Sequence, residues 1–176
     1  MIIGYTTGVF DLFHIGHLNM LKNAKAMCDK LIVGVTVDEL VAYKHKKAVI
    51  PFEERLEIVR NIKYVDVAVP QTSMNKFEAW EKLHFDVMFV GDDWYGSEKW
   101  KDYEEQFQKV GVRIIYFPYT KGTSSTLINQ TLISLRDEDI EDKEVKEYIL
   151  REMKHGVTKF EATGGYKDKD QNVLMS

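Results

Sequence analysis

The sequence holds a single cysteine, Cys28, so it cannot form an internal disulfide, and a reducing, cytoplasmic setting is the expectation. It has no run of the roughly 20 apolar residues that a spanning helix needs, so no membrane insertion is expected. Its opening residues, MIIGYTTGVF, lack the basic segment of a secretory leader, and none is expected. Positive charge is not in excess: 24 Lys and Arg stand against 28 Asp and Glu, for a formal net charge of -4. An acidic chain is a poor generic binder of nucleic acid or of a membrane surface, so any basic site must be local. A Gly-x-x-x-x-Gly-Lys-Ser/Thr loop is absent, which excludes the P-loop proteins. What remains is 176 residues, 44% hydrophobic and 30% charged, a globular balance.

Up to about residue 132 the chain alternates between two patterns. Ile2–Thr7, Lys30–Asp38, Val65–Pro70, Asp86–Gly91 and Val112–Pro118 are short, nearly continuous apolar runs. Such runs suit strands buried on both faces. Between them, Gly16–Cys28, Phe52–Ile62, Asn75–Leu83 and Ser97–Val110 read as helices, with Pro51 opening the second. A further helix is expected over Leu127–Leu135. The alternation predicts the α/β class: a five-stranded parallel sheet with helices on both faces. Residues 1–135 are expected to form the catalytic domain. In 136–176 a highly charged helix over Arg136–His155, with Val145, Ile149 and Met153 spaced by four, forms a C-terminal helical extension. An irregular tail over Gly156–Ser176 is expected to follow it.

Four segments carry chemistry, each at the carboxyl end of an expected strand, where ligands of such sheets bind. The first is Thr6-Thr7-Gly8-Val9-Phe10-Asp11-Leu12-Phe13-His14-Ile15-Gly16-His17. Gly8 permits a tight turn, and Gly16 leaves room for a ligand between two histidines three residues apart. A helix N-terminus there adds free N–H groups and partial positive charge, suited to phosphate. The second is Lys44-His45-Lys46-Lys47, followed by Glu54-Arg55, a plausible clamp for an anion. The third is Gly91-Asp92-Asp93-Trp94, whose acids suit a divalent cation or sugar hydroxyls and whose indole offers a stacking face. The fourth, Tyr119-Thr120-Lys121-Gly122-Thr123-Ser124-Ser125-Thr126, places hydroxyls and amides at a helix start, where they suit outer phosphates or a helix cap.

In this order and spacing, with Tyr64-Val65-Asp66 between the second and third, the segments resemble the nucleotidylyltransferases with a His-x-Gly-His signature. Within that group they resemble the bacterial glycerol-3-phosphate cytidylyltransferases. The resemblance implies a Rossmann-like α/β fold, usually a homodimer. It implies transfer of CMP from CTP to a small phosphorylated alcohol, releasing pyrophosphate, for a capsule, teichoic acid or other cell-envelope polymer. By the same resemblance His14, His17 and Lys46 are catalytic. Thr7, Gly8, Val9, Phe10, Asp11, Gly16, Gly91, Asp92, Asp93, Gly122, Thr123, Ser124 and Ser125 bind the nucleotide. Lys44, Arg55 and Trp94 face the acceptor, and Asp11 and Asp93 hold Mg²⁺ or another divalent cation.

Two positions depart from the family pattern. Tyr119 and Lys63 stand where the family carries arginines, whose bidentate contacts neither can copy. Two alternatives follow: an adenylyltransferase of the same superfamily, or a nucleotide-binding regulatory module without turnover. A class I aminoacyl-tRNA synthetase shares the His-x-Gly-His signature, but this chain lacks a Lys-Met-Ser-Lys-Ser loop and a tRNA-binding body.

Overall fold

The computed structural model describes residues 1–43, 47–137 and three short strands within 160–174. Two compact units are formed, Met1–Asn129 and Gln130–Ser176.

Five parallel strands organise the first unit. They are β1 (Ile3–Gly8), β2 (Lys30–Thr36), β3 (Val67–Gln71), β4 (Val87–Gly91) and β5 (Arg113–Phe117), in the spatial order β3-β2-β1-β4-β5. The helices are α1 (Ile15–Lys25), α2 (Asp38–Tyr43), α3 (Phe52–Arg60), α4 (Lys76–Leu83), α5 (Glu98–Lys109) and α6 (Ser125–Asp137). The strand runs and five of the helices agree with the sequence reading. The short helix α2 is new: Asp38, expected to end β2, opens α2 instead.

Alternation along the strands assigns each side chain to a face. On one face Tyr5, Ile32, Met88 and Val90 pack with Trp100, Tyr103 and Phe107 of α5 and with Phe77 and Trp80 of α4. On the other, Leu31, Val33, Val35, Val87 and Phe89 pack with Leu21 and Ala24 of α1 and Val59 of α3. Burying each large side chain contributes roughly 1.5–3 kcal/mol, and this two-sided cover is why the strands read as unbroken apolar runs. Cys28 belongs to this packing: its thiol donates to the Ala24 carbonyl and closes over Gly4, where a Cβ would lie 2.7 Å from its Sγ.

The sheet also fixes where a ligand can sit. From β1 the chain winds outward through β2 and β3, then returns to β4 on the opposite side of β1 and continues to β5. The reversal leaves a crevice at the carboxyl ends of β1 and β4, the switch point of such sheets. The Thr6 hydroxyl donates to the Phe89 carbonyl at 3.0 Å and ties the two strands there.

In the second unit, β6 (Phe160–Glu161), β7 (Gly165–Lys167) and β8 (Val173–Leu174) form a small antiparallel sheet. This corrects the expectation of a wholly irregular tail. The strands fall on Phe160, Tyr166 and Val173, residue types that favour extended backbone, whereas composition averages them with their polar neighbours. Most of the charged helix expected over residues 136–155 lies outside the described residues. No helix among the described residues is long and apolar enough to cross a membrane.

Candidate active site

The loop from β1 to α1 builds the centre of the site. It makes an unusual turn, with Phe10 and Leu12 at φ of 54° and 48°, in the left-handed region that non-glycine residues seldom occupy. His14 follows in extended conformation as the N-cap of α1. Its Nδ1 accepts from the backbone N–H of Gly16 at 3.0 Å, and His17 Nδ1 accepts from the N–H of His14 at 3.3 Å. Two imidazoles thus take the roles that Ser and Glu play in an ordinary capping box. Their ring centroids lie 3.9 Å apart.

This geometry fixes the chemistry of both rings. An Nδ1 that accepts a hydrogen bond carries no proton, so each neutral ring bears its proton on Nε2. Burial pushes the His17 pKa from 6.5 to about 4, with a smaller downward push from His14 and an upward one from Asp11. The rings of Phe10 and Phe13, each 5.3 Å from His17, supply much of that cover. Burial also lowers the His14 pKa. Near neutral pH the pair therefore presents two neutral Nε2–H donors.

The histidines open into a cavity of about 410 Å³ at the carboxyl ends of the strands. Of the residues expected at a site, Thr7, Gly8, Val9, Phe10, His14, Gly16, His17, Gly91, Asp93, Trp94, Ser124 and Ser125 line it. Gly16 is required by close approach, since a Cβ there would lie 2.8 Å from His14 Cε1. Gly91 similarly makes room for the Asp93 carboxylate, 2.6 Å from where its Cβ would stand. Ser124 caps α6, its Oγ accepting from the Leu127 N–H at 3.1 Å.

Other expected residues stand elsewhere. Arg55 does not line the cavity. Its side chain is wholly buried, and its guanidinium donates to the carbonyls of Val9, Thr36 and Ile50 and to the Asp38 carboxylate. Four of its five N–H groups are thereby used within the protein. Asp11 does not line the cavity either: its carboxylate accepts from the N–H groups of Leu12, Val49 and Ile50 at 2.8–3.1 Å. Those bonds engage both oxygens. Asp92, Gly122 and Thr123 lie outside the lining, and Lys44 and Lys46 lie outside the described residues.

Sequence reasoning missed part of the wall. Asn19, Met20 and Asn23 continue the Gly16 face of α1 into the cavity, a spacing of three, four and seven residues that the sequence already displays. Thr36 and Gln71 close β2 and β3, and both line the cavity. The buried Gln71 Oε1 accepts from the hydroxyls of Thr7 and Thr36, and its amide donates to the Ser73 carbonyl at 2.9 Å. A glutamine ending an apolar strand was the available signal. Lys76, Trp100 and Tyr103 join this part of the wall, and the exposed Tyr119 of the fourth segment lines the cavity as well.

A doubly wound parallel sheet with paired neutral imidazoles capping the first helix, opening on a switch-point cavity, defines a nucleotide-handling α/β protein of the His-x-Gly-His class. A family profile described as cytidylyltransferase-like matches residues 5–145, and the chain belongs to that family of nucleotidyltransferases. It is 38% identical over 128 residues to glycerol-3-phosphate cytidylyltransferase of Staphylococcus aureus, covering 72% of this chain and 92% of that one. It is 34% identical over 137 residues to the protein of the same name from Bacillus subtilis, covering 74% and 96%. A solved lipopolysaccharide core biosynthesis protein from Thermoplasma volcanium superposes with a TM-score of 0.59 at 26% identity, over 70% of this chain and 99% of that one.

Proposed function

We propose that the protein transfers CMP from CTP to a small alcohol phosphate, with glycerol 3-phosphate the best candidate. A phosphate oxygen of the acceptor attacks the α-phosphorus of CTP in line. The new P–O bond forms as the bond to the bridging oxygen breaks, and pyrophosphate leaves with the electron pair. No covalent bond to the enzyme is needed, so the protein contributes position and charge stabilisation.

The observation that carries this reading is the His14–His17 pair, two Nε2–H donors held at a helix N-terminus over the cavity. Neutral donors stabilise charge that grows on α-phosphate oxygens without binding ground-state phosphate as tightly as cations would. The amides at the start of α6 suit the outer phosphates, and Lys44 and Lys46 are assigned to the acceptor and the transferred group. Thr7, Thr36 and Gln71 offer polar groups to an acceptor beside β1.

Nucleotidyltransferases of this family generally use a divalent cation. Among the described residues no three His, Cys, Asp or Glu side chains gather into a metal cage. Asp93 is a carboxylate on the cavity wall, and one carboxylate plus triphosphate oxygens is a set that suits Mg²⁺. When bound there, Mg²⁺ supplies neutralisation of charge on the departing pyrophosphate.

We also propose a cytoplasmic homodimer with 1–135 as the catalytic part, serving cell-envelope polymer synthesis. The test incubates the full chain with CTP or ATP, Mg²⁺ and a panel of phosphorylated alcohols. Pyrophosphate and a CDP-alcohol of the expected mass support the proposal. Release with ATP alone moves the activity to adenylyl transfer, and binding without release makes the protein a nucleotide sensor. Sedimentation of the same sample reads the oligomer.

A further inference from the structure

We propose that Arg55 and Asp11 are positioning residues: with Ser125 they form a brace that holds the left-handed turn at Phe10–Leu12 and so aims the His14–His17 pair. The kinetic half of this proposal rests on the cytidylyl-transfer reading. The structural half does not.

Phe10 and Leu12 both lie at positive φ, on either side of Asp11. A non-glycine residue there is strained and persists only where its surroundings over-determine it. The surroundings do so from three directions. From α3, Arg55 Nη1 donates to the Val9 carbonyl at 2.5 Å. From the segment entering α3, the N–H groups of Val49 and Ile50 donate to the Asp11 carboxylate at 2.8 and 2.9 Å. From the start of α6, the Ser125 hydroxyl donates to the Asp11 carbonyl at 2.6 Å.

These contacts close on themselves. Arg55 Nε donates to the Ile50 carbonyl at 2.8 Å, so the residue that holds Asp11 is itself held by the residue that holds Val9. The second Arg55 Nη1 bond goes to the Thr36 carbonyl at 2.8 Å and anchors the ring to the end of β2. Asp38 supplies the balancing charge on Arg55 and also accepts from the Phe52 N–H at 3.1 Å. A wholly buried guanidinium is costly to desolvate, and an apolar side chain would fill the same space more cheaply. What Arg55 supplies that an apolar residue could not is its set of directional bonds to Val9, Thr36 and Ile50.

The turn in turn seats the histidines. It places Phe10, which is 5% exposed, against the edge of the His17 ring, and delivers the chain to His14 in the extended conformation of an N-cap. The reciprocal bonds Gly16 N–H to His14 Nδ1 and His14 N–H to His17 Nδ1 then select the Nε2–H tautomer. Neither Arg55 nor Asp11 lines the cavity, so both act on the substrate through other residues, this turn first among them.

The test uses the full chain with ¹⁵N-labelled histidine and no substrate, in Asp11→Asn and Arg55→Lys, with folding checked by the urea midpoint. Wild-type His14 and His17 should show the ring nitrogen pattern of a single Nε2–H tautomer at pH 7.5. In either folded variant both rings should shift toward a mixture of tautomers, while His84, on the far end of α4, stays unchanged. Rings that keep one tautomer in both folded variants overturn the brace, whatever the enzyme turns over. Should Asp11→Asn fail to fold, Arg55→Lys decides, and Ser125→Ala should give the same shift in smaller measure. With an active wild type, kcat should fall about 10- to 100-fold, the scale of a one-ångström misplacement. KM for CTP and acceptor should stay within about twofold, since no ground-state contact is removed. A raised acceptor KM with unchanged kcat makes Arg55 a substrate ligand instead and also overturns the brace. A wild type without turnover defeats the proposed function and leaves the nitrogen spectra to decide.

Discussion

His17 Nδ1 accepts a hydrogen bond from the backbone N–H of His14, at 3.3 Å, in the first turn of α1. One consequence concerns which ring nitrogen acts. If Nδ1 is engaged by the backbone and Nε2–H faces the reaction, amide side chains of different length should replace His17 unequally. Gln carries its NH₂ near the position of Nε2, and Asn near that of Nδ1. His17→Ala should lower kcat by about two to three orders of magnitude, the scale of one lost transition-state donor. His17→Gln should retain clearly more turnover than His17→Asn. Steady-state rates of pyrophosphate release decide, and equal rates for the two amides would place the working proton elsewhere.

The His17 pKa carries a stability effect with a definite sign. Burial lowers it from 6.5 to about 4 in the folded protein. Between these values the unfolded chain binds a proton that the folded protein refuses, so falling pH favours unfolding. The contribution to stability is full above pH 6.5, declines as pH falls toward 4, and changes no further below. Urea midpoints of wild type and His17→Gln at pH 7.5 and pH 5 should show a steeper loss in the wild type. Parallel losses would mean that the ring is not held neutral by burial.

Gly16 is the point of closest approach to the His14 ring, with an added Cβ 2.8 Å from Cε1 and 3.0 Å from Nδ1. Gly16→Ala should leave the fold intact, because alanine suits a helix, yet push the ring from its place. A shift near one ångström is enough for about a 100-fold loss of turnover. Circular dichroism and kcat together check this. Undiminished kcat would show that the ring has freedom the packing denies it.

Away from the site, Gly34 in β2 leaves space for the Tyr5 hydroxyl, which would stand 2.4 Å from a Cβ. Gly34→Ala should cost about 1–3 kcal/mol by overpacking. Tyr5→Phe should recover much of that loss in the double variant, since it removes the clashing oxygen. A double-mutant cycle by urea denaturation reads the coupling, and additive effects would exclude this contact.

The sheet was legible because both its faces are covered. Runs such as Leu31–Val35 read as strands without alternation. The histidine pair was legible because its meaning is local: a helix start after the first strand. That Arg55 and Asp11 stand outside the cavity lining was not legible, for the opposite reason. A charged residue beside a lysine cluster suggests an anion, and nothing along the chain shows that Val9, Thr36 and Ile50 turn three carbonyls toward one guanidinium. The role of Gln71 is likewise a property of three strand ends brought level by sheet register. Helix α2 escaped notice because its six residues are too few for periodicity to register.

Cytidylyl transfer is tested most directly by release of pyrophosphate by the purified chain from CTP and Mg²⁺ with and without glycerol 3-phosphate. The expected result is release that depends on the acceptor, yields a product with the mass of CDP-glycerol, and falls about 100- to 1,000-fold in His17→Ala. Acceptor-dependent release that persists undiminished in His17→Ala would contradict the role given to the histidine pair. No release with any phosphorylated alcohol, from protein that is folded and binds CTP, would contradict the transfer itself.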